Sequence, residues 1–99
     1  MADVTGVVTV NNHFHDGGCD VCVEWDGGST DYTALGWLGN SFGITYTVGL
    51  GTSCWMRLKY GLISHNHDSG DNFNAGDSNV VYNLNMVQID GTPSWDRIS

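Results

Sequence analysis

The chain has 99 residues, enough for one modest hydrophobic core and too few for two. Its 11 acidic and 3 basic side chains give a formal net charge of −8. That argues against binding a phosphate backbone, which requires clustered Lys and Arg, and against anionic membrane surfaces. With 14 Gly, 1 Pro, a single Glu (Glu24) and a single Lys (Lys59), the composition favours many short strands joined by tight turns.

Val4 to Val10 alternate as Val4, Gly6, Val8 and Val10 against Thr5, Val7 and Thr9, which predicts a first strand. Residues 11–18 read as a connecting loop. Val21, Val23 and Trp25 then alternate with Cys22 and Glu24, closed by Asp26-Gly27-Gly28-Ser29. An Asp-Gly-Gly sequence at this place predicts a hairpin with a type I′ turn, so that Thr30 to Leu38 pairs antiparallel with the second strand. Gly39-Asn40-Ser41 makes the next turn, and Phe42 to Val48 form a strand.

The stretch Cys54-Trp55-Met56-Arg57-Leu58-Lys59-Tyr60 organises the reading. Period two sends Cys54, Met56, Leu58 and Tyr60 to one face and Trp55, Arg57 and Lys59 to the other, which makes a half-buried strand. Its polar face holds two of the three basic residues beside a tryptophan. A polar stretch from Ser64 to Asn79 reads as a long loop, of a length that is more often functional than incidental. Val80 to Ile89 form the last long strand, and a tail containing Trp95 follows the turn at Asp90-Gly91-Thr92-Pro93.

Six or seven strands and no convincing helix predict an all-β fold, an antiparallel β-sandwich in one domain, with a small β-barrel as the alternative. Its expected core is Val8, Val21, Val23, Ile44, Tyr46, Met56, Leu58, Tyr82, Leu84 and Met86. Strand edges with almost no Lys or Pro to blunt them predict a homodimer. Met1-Ala2-Asp3 leads straight into a strand pattern without the basic and apolar segments of a signal peptide, and no apolar run approaches membrane-spanning length. The expected location is therefore cytoplasmic, or outside the cell after release without a signal peptide. The odd cysteine count, Cys19, Cys22 and Cys54, agrees with free thiols in a reducing compartment.

All four histidines fall in His-x-His pairs, His13/His15 and His65/His67. His13 and His15 with Cys19 and Cys22 have the ligand types of a zinc site, although Cys22 already lies in a predicted strand. Asp68, Asp71, Asn72, Asn74, Asp77 and Asn79 supply the oxygens that calcium uses, without EF-hand spacing or its closing Glu. Exposed imidazoles and consecutive Asx turns explain the same residues without any metal, so the expected cofactor is none, with Zn or Ca as alternatives. Nucleophile elbows, phosphate-cradling loops and dinucleotide fingerprints are missing, and Glu24 has no evident hydrophobic setting to raise its pKa, so no enzyme is expected.

Four Trp, four Tyr, nine Asn and ten Asp in one small acidic body suit a neutral polyhydroxylated ligand. Sugars stack their C–H face on aromatic rings and exchange paired hydrogen bonds with planar Asp, Asn and Arg groups. In this the chain resembles the small all-β, signal-free lectins of mushrooms and other fungi, with no motif matched to any one family. The expected ligand-binding residues are Trp55, Arg57, Asp68, Asp71, Asn72, Asn74, Asn83 and Asn85. This set assumes that the strands at 54–60 and 80–89 are neighbours, so that Trp55, Arg57, Asn83 and Asn85 share a face. The other reading of the composition is a structural or protein-interaction β-sandwich.

Overall fold

The structure, a computed structural model, describes residues 2–14, 19–60, 65–86 and 92–99, with the side chain of Met86 outside that description. Two sheets pack face to face without closing into a barrel. The strands are β1 (Asp3–His13), β2 (Asp20–Trp25), β3 (Gly28–Ser29), β4 (Thr33–Ala34), β5 (Ser41–Gly49), β6 (Ser53–Tyr60), β7 (His65–Asp68), β8 (Phe73–Asn74), β9 (Val80–Met86) and β10 (Pro93–Arg97). One sheet has the order β10-β9-β1-β5. In the other, β2 and β6 are the central pair, with β3 and β4 along the free side of β2 and β7 and β8 along the free side of β6. All pairings are antiparallel except that of β1 with β9.

The period-two phase of each long strand holds. Val8, Val21, Val23, Ile44, Tyr46, Met56, Leu58, Tyr82 and Leu84 are buried, and together with Val10, Phe14, Leu35, Cys54, Phe73 and Trp95 they form one core between the sheets. An aromatic row crosses it, Tyr46 to Phe73 to Tyr82 to Trp95, with ring centroids 5.5, 6.2 and 6.0 Å apart. Polar tips in this row find partners: the Tyr82 hydroxyl donates to the Asp71 carbonyl at 2.7 Å, and the Trp95 indole donates to the His67 carbonyl at 3.0 Å. Both bonds tie one sheet to the other.

Several local expectations are corrected. Asn11 to His13 continue β1 instead of opening a loop, because Asn12 is drawn into the core (1% exposed). Its carbonyl oxygen Oδ1 accepts from the Phe14 N–H at 2.9 Å, while Nδ2 donates to the Trp37 carbonyl at 2.9 Å. In the hairpin after β2 only Gly27 takes a positive φ (88°), so the turn is not type I′. The returning strand is two short pieces, since Glu24 pairs with Ser29 but Val21 pairs with Thr33, a register shift that inserts one extra residue as a bulge. From residue 65 on, the polar stretch is not a free loop: β7 and β8 lie along β6, and Phe73 is buried. The tail is also a strand, β10, with Trp95 in the core. Residues 15–18, 61–64 and 87–91, which carry the Gly17-Gly18 loop, the extension at Leu62-Ile63 and the end of the last predicted strand, lie outside the described residues.

Gly6 has a specific steric duty. It faces Tyr46 across the β1–β5 pair, and a Cβ built there would collide with the Tyr46 ring and hydroxyl. The ring cannot yield, because it is 1% exposed and its hydroxyl accepts the Gly76 N–H at 3.0 Å. Gly6→Ala is expected to cost about 1 to 3 kcal/mol through overpacking. The urea midpoint checks this, and an unchanged midpoint would mean that the ring does swing aside.

Candidate functional site on the outer face of the second sheet

Alternation along β6 places Ser53, Trp55, Arg57 and Lys59 on the side of the sheet away from the core, because Cys54, Met56 and Leu58 are fully buried between them. Register brings neighbours from both sides. Across β2, Glu24 stands opposite Trp55, Cys22 opposite Arg57 and Asp20 opposite Lys59. Across β7, Asp68 stands opposite Arg57, and across β8, Asn74 stands opposite Ser53.

These side chains form one polar network centred on Arg57. Its Nε donates to Asp68 Oδ1 at 2.7 Å and its Nη2 to Asp68 Oδ2 at 2.9 Å, a bidentate fork. Nη1 lies 3.2 Å from Glu24 Oε1. The Cys22 thiol donates to the same Glu24 oxygen at 3.4 Å, and Tyr32 lies near enough to Cys22 for each to affect the other's ionisation. Lys59 Nζ sits 5.4 Å from the centre of the Tyr32 ring, a cation–π contact. At the other end, Asn72 Nδ2 donates to Ser53 Oγ at 2.9 Å.

The charges respond to these contacts. The hydrogen-bonded Arg57 guanidinium holds the Asp68 carboxyl below the usual carboxylate range, outweighing the opposing effect of partial burial, and the Trp55 indole adds to it. Reciprocally, Asp68 raises the Arg57 pKa. Burial first, and the bond to Glu24 second, push the Cys22 thiol up to about 12. It is therefore protonated at neutral pH and a poor nucleophile. Burial also raises the Tyr32 hydroxyl, with Cys22 contributing. Asp20, Glu24 and Asp68 stand against Arg57 and Lys59, so this face is almost charge-balanced in a protein of net charge −8.

Of the expected site residues, Trp55, Arg57, Asp68, Asn72 and Asn74 come together here. Asp71 lies at the rim, where its carbonyl accepts from Ser69 and Tyr82. Asn83 and Asn85 do not join them, because β9 belongs to the other sheet. They lie on the opposite outer face of the sandwich, where Asn11 donates to Asn83 at 2.9 Å and Asn85 donates to Asp96 at 2.8 Å. The assumed adjacency of β6 and β9 fails because the chain passes between the sheets more than once, and sequential strands need not be neighbours.

The described metal candidates are not gathered. His13 is exposed at the end of β1, Cys19 is buried in the core cluster, Cys22 is hydrogen-bonded to Glu24, and His15 lies outside the described residues. Among the described residues no three His, Cys, Asp or Glu side chains are placed to share a metal ion. In the loop proposed for calcium, Asp68 is committed to Arg57 and Asp77 to the Asn74 N–H and Arg97.

Sequence reasoning misses Glu24, Cys22 and Tyr32 as members of the network. The alternation around Val21 and Val23 already puts Cys22 and Glu24 on one face, but only strand order shows that Arg57 faces them. It also misses Trp37, which is 73% exposed beside the exposed Leu38. The backbone carrying them is fixed, with the Trp37 carbonyl accepting from Asn12 and from the Asn40 N–H, and with Gly36 and Gly39 at positive φ. Compared with known proteins, the chain matches no family model, no curated protein and no solved structure.

Proposed function

We propose that the protein binds a neutral saccharide, without transforming it, on the outer face built around Arg57. The observation that carries this reading is the Glu24–Arg57–Asp68 array beside Trp55. The Asp68 fork engages two of the five guanidinium N–H groups and Glu24 pairs with Nη1 through charge, which leaves N–H groups on both terminal nitrogens and spare lone pairs on both acids. Such a fixed alternation of donors and acceptors suits adjacent hydroxyls, and an indole beside it suits the C–H face of a sugar ring. Near charge balance favours an uncharged ligand. Asn72 and Asn74 extend the polar rim past Ser53.

A glycan array with the purified protein is the test. On any glycan that binds, Trp55→Ala should weaken binding more than tenfold, about 1.4 kcal/mol, with the melting temperature kept within a few degrees. Asn83→Ala on the far face should leave affinity unchanged. An array without a hit overturns the reading, and so does binding that Asn83→Ala abolishes and Trp55→Ala spares. A second reading, a protein-interaction module, is favoured by the rigidly held Trp37-Leu38 turn. It gains if the array is blank and a copurifying protein partner is lost on Trp37→Ala.

A further inference from the structure

Among the described residues the two open sheets have four free sides, and three of them carry features that discourage further pairing. β10 is five residues long, begins with Pro93 and includes Asp96 and Arg97. The β3 and β4 side consists of two-residue pieces separated by a bulge. The β7 and β8 side is likewise broken into two pieces, with Asp68 on it engaged by Arg57. Short segments, prolines, bulges and charges are the ordinary means by which proteins blunt a sheet edge.

β5 has none of these. It runs nine residues, Ser-Phe-Gly-Ile-Thr-Tyr-Thr-Val-Gly, with no charged residue and no proline. Its pairing to β1 is unbroken from Asp3↔Gly49 to Asn11↔Ser41, and among the described residues it pairs with no other strand. Alternate backbone N–H and C=O groups along such a strand point away from its single neighbour. The sequence is also self-complementary. Laid antiparallel on itself about Thr45, Ile44 meets Tyr46, Phe42 meets Val48 and Gly43 meets Thr47. Core-facing residues then meet core-facing residues, and threonines stay on the outer face. A strand without charge is also where two copies of a chain of net charge −8 meet with least local repulsion.

We propose that β5 is an assembly edge, through which two copies of this chain pair antiparallel about a two-fold axis and join their four-stranded sheets into one of eight strands. The proposal does not rest on carbohydrate binding, since the face around Arg57 belongs to the other sheet. Screening by salt should tighten the dimer, because the repulsion it relieves comes from acids elsewhere on each copy.

Sedimentation velocity at micromolar concentration tests it. The expected mass is twice the 10.7 kDa of the chain. Thr45 is exposed on the outer face, so Thr45→Lys should keep the wild-type circular dichroism spectrum while raising the dimer dissociation constant at least tenfold. Thr47→Lys is a second variant of the same kind, for use if the first is destabilised, and Ser94→Lys on β10 is the control that should leave the mass unchanged. A monomer at every concentration and salt overturns the proposal. A dimer indifferent to both β5 lysines, or one broken by Ser94→Lys, overturns it equally.

Discussion

Leu58→Ala and Leu84→Ala should each destabilise the protein by about 2 to 5 kcal/mol, the usual range for emptying a leucine site in a well-packed core. Both side chains are fully buried, one on β6 and one on β9, and they close the core from opposite sheets. In a domain of this size the total stability is of the order of 5 to 15 kcal/mol, so a single truncation removes a large share of it. Urea unfolding followed by tryptophan fluorescence measures the change. Since the two residues sit in different sheets, a small cost at one and a large cost at the other would mean that the sheets are not one cooperative unit.

These two positions also show what alternation makes legible. A strand buried on one face writes its phase into the sequence, so the inward residues of β1, β2, β5, β6 and β9 follow from the order of amino acids alone. Asn12 does not, because its polar side chain interrupts the apolar series. It is buried only because Phe14 and Trp37 supply backbone partners, the latter from a distant turn. Trp95 is hidden in the same way. Its strand is five residues long, and its burial depends on pairing to β9 and on an acceptor, the His67 carbonyl, 28 positions away.

The candidate site is half legible for a related reason. Period two places Trp55 and Arg57 on a common outer face, and that geometry holds. Which residues stand beside them is a matter of strand order, which local pattern does not encode. The hairpin signal at Asp26-Gly27 locates β3 against β2, yet nothing local indicates that β2 pairs with β6 or that β9 pairs parallel with β1. Pattern alone consequently puts Asn83 and Asn85 on the wrong side of the sandwich, and it gives no sign that Glu24, the only glutamate, is the second partner of Arg57.

The second large effect is a steep loss of stability in alkali. Burial pushes the Cys22 thiol up to about 12, with help from Glu24, and pushes Cys54 up to about 11. Burial likewise raises the Tyr82 hydroxyl to about 12. Each group ionises later in the folded state than in the unfolded chain, where thiols lose their protons near pH 8.5 and phenols near pH 10. The unfolded state therefore sheds protons first as pH rises. The stabilisation is complete below about pH 8.5 and is lost on the way up to the folded values. Each such group costs about 1.4 kcal/mol per pH unit in its window, so the two thiols and Tyr82 together should remove on the order of 7 kcal/mol by about pH 11, most of it from the thiols. Urea midpoints measured between about pH 7.5 and 11 will show the slope. In a variant carrying both Cys22→Ala and Cys54→Ala the loss should fall to about a third or less and begin only near pH 10, because only the tyrosines remain to drive it. An equally steep loss in that double variant would mean that the thiols ionise alike in both states, and that Cys22 is not sealed from water in solution.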